Sequence, residues 1–435
     1  MVNYILSKSP NGLFLIFERS VQFDFTIRQF KIYIIQKGTL YMPNLSSDLT
    51  STINERLNNL TASKIRAFDQ KVSEISGIIK LTIGEPDLAT PDHIKDAAIR
   101  DIQANDSHYA PQAGKPELLE AISNYLDRSI GVHYDPKSEI CVTVGATGAL
   151  NDVFMTLLNP GDKILVPTPV WALYFQLIKM TGAIPIQVDT KKDDFILTAE
   201  HLRHVLNGRG KGAKAIILTD PSNPTGRVYS ATALKVFADV IKEYKIFSVT
   251  DEIYAELVYG KAKHHSLSEY IPDRNILISG LSKAYAMTGW RLGYIAAPKQ
   301  IMKSIRKINS FLVTSVTDNV QIAAVEALNN GQNDPKKARE IYEARLNFMQ
   351  SGLEKLGFEM ATPQGAFYIF AKIPEKYGTN DEQFAFELAQ KAKVGVTPGR
   401  YFGKGGEGYV RLSYASSTEQ LKESLARISN FVNNL

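Results

Sequence analysis

The stretch that decides the fold is Ser279-Gly-Leu-Ser-Lys-Ala-Tyr-Ala-Met-Thr-Gly-Trp-Arg-Leu-Gly-Tyr294. It begins at the end of the apolar run Asn275-Ile-Leu-Ile-Ser279, which predicts a buried strand. Lys283 follows this strand, so it is partly desolvated, and desolvation lowers the pKa of a lysine. The neutral amine that results forms Schiff bases with aldehydes. Arg291 then offers a planar guanidinium suited to phosphate. On its own, a lysine followed by an arginine is weak support for a ligand site, because the two residues are common neighbours on protein surfaces.

The composition is that of an ordinary globular protein with two or three domains. The chain has 435 residues, of which 44% are hydrophobic and 22% are charged. Its net charge of +5 is spread along the sequence, so we expect no nucleic-acid or membrane partner. The single cysteine, Cys141, lies in a strand-like apolar run and is interpreted as a buried structural thiol rather than a nucleophile. Such cysteine usage is typical of the reducing cytoplasm.

The first 41 residues differ in character from the rest. They are rich in Phe and Ile but are broken by charges, and they lack the apolar core and cleavage site of a signal peptide. The sequence from Met42 resembles a natural start. We therefore expect residues 1–41 to be an extension outside the fold, derived from an upstream start codon or dispensable. The intact mass of the native protein tests this expectation, and a mass that includes Met1 would contradict it.

Apolar strands alternate with helical patterns from about Asp92 onward, which predicts an α/β fold with a mostly parallel sheet covered on both faces. The predicted strands are Ile140–Val144, Lys163–Val166, Ile184–Val188, Lys214–Leu218, Ile246–Thr250, Asn275–Ser279 and Leu292–Ala296. The link before Leu292 is short for a crossover, so we expect the last pairing to be antiparallel. Sheets of this kind bind ligands beyond the carboxyl ends of their strands.

The pattern changes after Pro298 to that of a smaller α+β unit. One long helix is predicted from Gln300 to Asn330, and a second continues through Gly357. Further along, the predicted elements are strands at Phe367–Ala371 and Tyr409–Tyr414 and helices at Asp381–Lys393 and Glu419–Asn433. The domain bounds we expect are an extension at 1–41, an N-terminal part of the small domain at 42–91, a large domain at 92–299, and a linking helix with the C-terminal small domain at 300–435.

Three motifs at predicted strand ends carry polar chemistry. Gly145-Ala-Thr-Gly-Ala-Leu150 opens a helix, where small residues, backbone amides and Thr147 suit an anion. Asn223, in a Pro-Ser-Asn-Pro-Thr-Gly run, offers an amide donor. Asp251 could pair with a protonated ring nitrogen of a bound ligand, with the Tyr254 hydroxyl on the same side as Asp251. Each has a plain alternative: a glycine turn, a proline-rich turn and a helix cap, respectively.

Taken together, these groups are those that a pyridoxal phosphate site requires: a Schiff-base lysine, a carboxylate for the ring nitrogen, a donor for the ring oxygen, and a phosphate cup with an arginine. Over residues 45–435 the chain resembles a class I/II pyridoxal-phosphate aminotransferase of the aspartate aminotransferase fold (fold type I). It is most similar to the bacterial aromatic, aspartate and N-acetyl-diaminopimelate branch. The matching motifs are Ile83-Gly-Glu-Pro-Asp87, Tyr109-Ala-Pro-Gln-Ala-Gly114, Asn223-Pro-Thr-Gly226, Ser282-Lys283 through Gly289-Trp-Arg291, and Val410-Arg-Leu-Ser-Tyr414.

The resemblance implies a role for each matching residue. Lys283 would hold the cofactor as a Schiff base and Asp251 its ring nitrogen, while Asn223 and Tyr254 would bind the ring oxygen. The resemblance also implies phosphate contacts from Ala146, Thr147, Arg291 and the neighbouring subunit's copy of Tyr109, a cofactor contact from Ser282, ring stacking by Trp171, and a substrate carboxylate pocket with Arg411, Asn223 and Gly84. No metal is expected.

Two departures from the family pattern leave questions open. Many relatives have a phosphate-binding serine three residues before the lysine, where this chain has Gly280. Ser279 or Ser282 could substitute for it. No arginine clearly matches the one that binds the distal carboxylate in dicarboxylate-specific enzymes. Arg400 is a candidate by its position in the chain, and a solvent-facing Arg400 is the alternative.

The resemblance implies ping-pong transamination in a homodimer whose active sites are shared across the interface. Lys283 would move the α-proton as base and then acid. We expect an aromatic amino acid as donor and 2-oxoglutarate as acceptor, with N-acetyl-LL-diaminopimelate or aspartate as alternatives. Two other classes remain open: a carbon–sulfur β-lyase on the same fold, and a pyridoxal-phosphate-binding regulator.

Overall fold

The computed structural model describes the backbone of four strands within the first 40 residues and then residues 44–52 and 54–433. Contacts divide the chain into two units, Met1–Asn59 and Leu60–Leu435. In the first unit an antiparallel sheet is formed, in this order, by β1 (Asn3–Lys8), β2 (Phe14–Arg19), β3 (Tyr33–Gln36) and β4 (Thr39–Leu40). The remainder of the predicted extension at 1–41 lies outside the described residues, and its dispensability stays a prediction.

The second unit carries the remaining elements. Its helices are α1 (Lys64–Ser73), α2 (Asp92–Gln103), α3 (Pro116–Ile130), α4 (Gly145–Leu157), α5 (Leu173–Met180), α6 (Ala199–Asn207), α7 (Ala231–Tyr244), α8 (Lys299–Val313), α9 (Asp318–Asn330), α10 (Asp334–Lys355), α11 (Asp381–Glu387) and α12 (Thr418–Asn433). Its strands are β5 (Ile79–Lys80), β6 (Ile140–Val144), β7 (Lys163–Thr168), β8 (Ile184–Asp189), β9 (Ala213–Thr219), β10 (Phe247–Asp251), β11 (Asn275–Gly280), β12 (Leu292–Ala296), β13 (Glu359–Met360), β14 (Tyr368–Lys372), β15 (Val394–Gly395), β16 (Thr397–Pro398) and β17 (Tyr409–Ser413).

The large sheet confirms the α/β prediction. It has seven strands in the order β6-β12-β11-β10-β9-β7-β8, and each predicted strand is present to within two residues at either end. Strands β11, β10, β9, β7 and β8 run parallel to one another. Strand β12 is antiparallel to both of its neighbours, as the short link before it predicts. A parallel crossover needs about a dozen residues or more, and this link is shorter.

Both faces of the large sheet are covered by helices. Successive side chains of each buried strand point to opposite faces, so each strand packs against helices on both sides. Ile164 and Val166 of β7 pack in a cluster with α4, α5 and α8, whereas Leu165 between them packs with α6 and α7. The thiol of Cys141 is buried in the first of these clusters, as expected. In the described part of the chain, no helix combines the length and the apolar character that a membrane crossing requires.

A second, smaller sheet has the strand order β13-β14-β17-β16 and packs with α10 and α12. The segment before α2 joins this region: β5 pairs in parallel with β15, and the Leu81 carbonyl accepts a hydrogen bond from the Ser413 amide (2.9 Å). This connection brings residues near position 84 beside the large sheet's edge. The domain bounds at 91/92 and 299/300 stay predictions.

The structure corrects two predicted helices. The single helix expected from Gln300 to Asn330 is two helices, α8 and α9, separated by a turn at Thr314, whose φ is +60°. The turn falls in Val313-Thr-Ser-Val-Thr317, where β-branched and hydroxyl side chains disfavour a helix. One α-helix is expected over Asp381–Lys393. In the structure α11 ends at Glu387, and a π-helical turn follows it over Leu388–Ala392.

Candidate active site

The carboxyl edge of the large sheet brings three of the predicted site residues together. Asp251 ends β10 and pairs with Thr219 at the end of β9 and with Ile278 of β11. Asn223 follows β9, and Lys283 lies in the loop after β11. Because parallel strands end at the same edge, side chains that are distant in sequence meet in one cleft.

Lys283 is half-buried among groups of both charges. Its Nζ donates to the Gly84 carbonyl at 2.8 Å and lies 5.9 and 5.8 Å from the ring centroids of Tyr254 and Phe367. Burial lowers the pKa of Lys283 to about 8; Glu85 and Asp251 oppose the shift, while Arg411 and Arg291 add to it. Burial thus shifts Lys283 toward the neutral amine that the sequence predicts, and this form predominates above about pH 8.

Gly84 fits a space that no larger residue could occupy. A Cβ at this position would overlap the hydroxyl of Tyr368, and that hydroxyl is itself hydrogen-bonded to the hydroxyl of Tyr254 (2.7 Å). The Gly84 carbonyl can therefore reach Lys283 only because the residue has no side chain.

Replacing Gly84 with alanine should lower both stability and turnover, because Tyr368 must move to admit the methyl group. Overpacking of this kind costs about 1–3 kcal/mol. Thermal unfolding and steady-state turnover measure the two effects. Gly289→Ala is the matched control, since a Cβ at Gly289 would meet nothing within 4 Å. Wild-type values for Gly84→Ala in both assays would contradict the close contact.

Asp251 is held as a carboxylate by two donors. One oxygen accepts from the Tyr174 hydroxyl at 2.6 Å, and the other accepts from the Ile253 amide at 3.3 Å. Tyr174 is fixed in turn by the Thr219 hydroxyl at 2.7 Å. Burial raises the pKa of Asp251 to about 6, an effect that the Tyr174 hydrogen bond reduces. At neutral pH the carboxylate therefore stays ionised and can partner a cation.

Arg411 of β17 projects from the small sheet into the same region. Its guanidinium donates to the Asn223 side-chain oxygen at 2.9 Å and to the Thr82 carbonyl, and it lies 4.5 and 4.8 Å from the rings of Tyr368 and Phe402. Its Nε is buried without a hydrogen-bond partner. A buried guanidinium with an unused donor is suited to a carboxylate ligand, which would satisfy both the charge and the donor.

The start of α4 forms a cradle with Arg291. A Cβ on Gly145 would lie 2.5 Å from an Arg291 guanidinium nitrogen, so the arginine packs directly against this glycine. The guanidinium is oriented by a 2.8 Å hydrogen bond to the Thr288 carbonyl, and the Arg291 side chain remains exposed to a ligand. Ala146 and Thr147 lie in the first turn of α4, where amides and the helix dipole favour an anion.

The other predicted residues differ in how far they reach this cleft. Trp171 contacts Tyr174 edge-on at 5.9 Å between ring centroids, which places it near Asp251. Ser279 donates to the Glu252 carbonyl at 3.1 Å and is thereby directed away from the cradle, whereas the buried Ser282 lies in the Lys283 loop. Tyr109 is 87% exposed and does not join the group.

Arg400 is not a carboxylate ligand in this cleft; it lies exposed at the surface, as the alternative interpretation expects, and pairs there with an acid. Its Nε donates to the fully buried Asp381 at 2.8 Å, its own amide donates to the same carboxylate at 2.8 Å, and a further guanidinium nitrogen reaches Asn380 at 3.3 Å. The side chain thus closes the turn after β16 onto α11, a structural ion pair.

Sequence reasoning missed four groups that complete the cleft: Tyr174, Tyr368, the Thr82 carbonyl and Glu85. Tyr174 had a detectable signal, since it lies three residues after Trp171, a spacing at which side chains meet once a helix begins. Glu85, which accepts a hydrogen bond from Thr288, lies inside the motif at Ile83–Asp87. Nothing in the local sequence of Tyr368 or Thr82 indicates its contact.

A mostly parallel sheet whose edge gathers a desolvated lysine, a buried carboxylate, an anion cradle and a buried arginine is the arrangement that the sequence predicts for an enzyme of the aminotransferase fold. The chain belongs to the family "Aminotransferase class I and II", whose model matches residues 76–428. The predicted family and fold type I are therefore confirmed, and the protein is a transaminase that acts on amino acids and 2-oxo acids.

Known relatives agree on this class and differ in substrate. The chain is 40% identical to a probable N-acetyl-LL-diaminopimelate aminotransferase of Bacillus subtilis (strain 168), over 87% of this chain and 95% of the relative. It is 38% identical to an aspartate aminotransferase of Geobacillus stearothermophilus, over 87% of this chain and 98% of the relative. The solved aromatic aminotransferase from Pyrococcus horikoshii OT3 superposes with a TM-score of 0.81 at 33% identity, covering 87% of this chain and 98% of the other.

Proposed function

We propose that this aminotransferase uses pyridoxal 5'-phosphate, bound at the carboxyl edge of the large sheet, to move an amino group from an aromatic amino acid to 2-oxoglutarate. The residues present fit this cofactor. The glycine at 145 leaves room for Arg291 beside the amides of α4, which suits a phosphate. Asp251 is a buried anion that lies apart from that cradle, and such an anion suits the protonated ring nitrogen of the cofactor. Lys283 supplies the amine.

Each residue then has a defined task. The cofactor, when bound, supplies an electron sink for the charge left by removal of the α-proton. Lys283, with its depressed pKa, accepts that proton and returns it. Asp251 stays ionised, and Tyr174 fixes its orientation. Asn223 already accepts from Arg411, which leaves its NH2 group to donate to the ring oxygen, while Arg411 holds the substrate carboxylate.

The rate at which the apoprotein captures pyridoxal phosphate should rise with pH and level off above about pH 8. The reaction needs the neutral amine, and burial depresses the pKa of Lys283 so that the neutral form predominates above that pH. Stopped-flow absorbance of the bound cofactor across a pH series measures this rate. A rate that still climbs toward pH 10, as for an exposed lysine, would contradict the assignment.

The observation that carries the aromatic preference is the setting of Arg411. Its guanidinium lies between the rings of Tyr368 and Phe402, with Tyr254 and Phe367 close by. Arg400, the candidate for a second carboxylate, is occupied by Asp381. The aromatic rings around this arginine support a donor with an apolar side chain.

A second candidate is a donor with a second polar group. The relative at 40% identity is named for N-acetyl-LL-diaminopimelate, and the one at 38% for aspartate. These names favour such a donor here, with the distal group bound by residues outside the contacts described above.

Absorption spectroscopy of the cofactor-loaded protein tests both candidates. Tyrosine, phenylalanine, aspartate, glutamate and N-acetyl-LL-diaminopimelate are added separately, and the change from the pyridoxal to the pyridoxamine form is timed. We expect tyrosine or phenylalanine to act fastest; faster conversion by another donor would overturn the aromatic preference. No cofactor band would overturn the Lys283 assignment. Release of pyruvate from cystathionine without an oxo acid would identify a carbon–sulfur lyase, and an unmoved band a regulator.

We further propose a homodimer with shared active sites. The support is Tyr109, which is 87% exposed in the isolated chain although the family resemblance gives it a phosphate contact in the neighbouring subunit. Sedimentation measures the assembly, and a monomeric active enzyme would contradict it. The cytoplasmic location stays a prediction from the single cysteine.

A further inference from the structure

A second buried polar group lies behind the strand ends that carry Asp251. We call Asp220, Glu252 and His264 the His264 cluster. Asp220 directly follows β9 and Glu252 directly follows β10, and the Asp220 amide donates to the Asp251 carbonyl at 3.1 Å. The side chains of Asp220, Glu252 and His264 are only 5%, 4% and 10% exposed. The cluster is therefore cut off from solvent and adjoins the site.

The contacts of the cluster leave one gap. Glu252 accepts from His264 Nε2 at 2.9 Å and from the Ser266 hydroxyl at 2.7 Å, so both of its oxygens are used. Asp220 accepts from the Tyr229 amide at 3.1 Å through one oxygen. Its other oxygen and His264 Nδ1 are both buried without a hydrogen-bond partner and lie 3.9 Å apart. A proton on Nδ1 would face that unpartnered carboxylate oxygen.

The surrounding carboxyl groups favour such a proton. Asp220, Asp251 and Glu252 place three buried carboxyl groups at two neighbouring strand ends. Burial raises the pKa of both Asp220 and Asp251, and Glu252 adds to the rise. Buried charges need compensation. The acids that face His264 are Glu252, Asp220 and the more distant Glu256, and together they raise its pKa against the opposing effect of burial.

We propose that His264 is a positioning residue that carries a positive charge: as an imidazolium it neutralises Glu252 directly behind Asp251 and so keeps Asp251 ionised for its cofactor. This inference rests on the proposed function, because it takes Asp251 as the partner of the ring nitrogen. His264 also joins the turn that leads to Asn223 with the turn that carries Asp251 and Tyr254. Neither its charge nor this link involves contact with substrate.

The protonation state is tested directly by NMR of the full-length protein labelled with ¹⁵N-histidine, with and without pyridoxal phosphate. We expect His264 to keep both ring nitrogens protonated at pH 7.5, and the His264→Gln variant assigns its signal. His93, whose ring nitrogens lie 2.8 Å from Glu326 and from Asp334, should give a second such signal that this variant leaves in place. A neutral His264 at this pH overturns the proposal, and this readout does not depend on activity or on a bound cofactor.

Cofactor affinity tests the consequence. The apoprotein of His264→Gln should bind pyridoxal phosphate about tenfold more weakly at pH 5, because a rise in the pKa of Asp251 from about 6 to about 7 lowers its ionised fraction there from about one tenth to about one hundredth. Glu252→Gln combined with His264→Gln removes the cation together with the carboxylate that it balances. Affinity should then return to within about threefold of wild type. If the two changes merely removed packing and hydrogen bonds, the double variant would be no better than the single one, and that result overturns the proposal.

A further variant separates this proposal from the proposed function. Asp251→Asn should weaken cofactor binding more than His264→Gln does. If Asp251→Asn binds the cofactor normally, the role of Asp251 in the proposed function fails, whatever the NMR shows. Suppose that Asp251→Asn binds the cofactor weakly. If His264 is then found neutral, or if the double variant does not recover cofactor affinity, only the His264 inference fails. If His264→Gln does not fold, NMR of the wild-type protein still decides the protonation state of His264, and Glu252→Gln is used to assign the His264 signal.

Discussion

Replacing Lys283 with alanine should reduce turnover by several orders of magnitude while substrate binding changes far less. In the described part of the chain, no other amine combines burial, a pKa lowered to about 8 and a position between Asp251, Arg291 and Arg411. The variant therefore loses both the covalent tether and the group that moves the proton. Removal of a group that acts in the reaction itself lowers kcat, whereas the contacts made by Arg411 and Arg291 still bind ligands.

Single-turnover absorbance with pyridoxal phosphate and an amino acid measures the loss, and equilibrium titration measures binding. Lys337→Ala is the matched control, since Lys337 is 75% exposed and pairs with Asp334 at 3.7 Å. Its turnover should equal that of wild type. A small primary amine added to the Lys283→Ala variant should restore part of the proton transfer, because it can occupy the vacated space. Near-normal turnover of Lys283→Ala without added amine would refute the assignment.

The sequence allowed prediction of the large sheet because its buried strands are continuous apolar runs bounded by turn residues. Those boundaries also placed Asp251 and Lys283 at strand ends, so the principle that parallel strands end at one edge brought them together before any contact was known. Strand β12 was predicted to be antiparallel from the length of its link alone. In each case a local pattern determined a global feature.

Contacts across long stretches of chain could not be predicted. The Thr82 carbonyl and Arg411 are 329 residues apart, and any of many carbonyls could have accepted this hydrogen bond. The hydroxyls of Tyr254 and Tyr368 meet across 114 residues. Arg400 showed the same limit, because its chain position indicated a ligand whereas Asp381 decides its role. Periodicity gives the face on which a side chain lies, but not its partner.

Arg411→Lys should lower kcat/KM for an amino acid donor about a hundredfold or more. Lysine keeps the charge but loses the planar fork, so it cannot hold Asn223, the Thr82 carbonyl and a substrate carboxylate together. Breaking a buried, hydrogen-bonded charge pair costs about 2–5 kcal/mol. The loss should appear mainly in KM if Arg411 binds ground and transition states equally, and in kcat if the carboxylate must be aligned for removal of the α-proton.

The comparison of phenylalanine with phenethylamine isolates the carboxylate, because the amine lacks only that group. Wild type should strongly prefer the amino acid, and Arg411→Lys should lose most of this preference while its slow rate with the amine stays the same. Arg400→Lys is the matched control: its guanidinium is bound by Asp381, so the change should lower the melting temperature and leave the preference intact. If Arg400→Lys abolished the preference and Arg411→Lys kept it, the substrate carboxylate would bind at the turn after β16 instead. The position of the carboxylate would then also place the donor's side chain outside the aromatic walls around Arg411, so the same pair of variants tests the proposed substrate class.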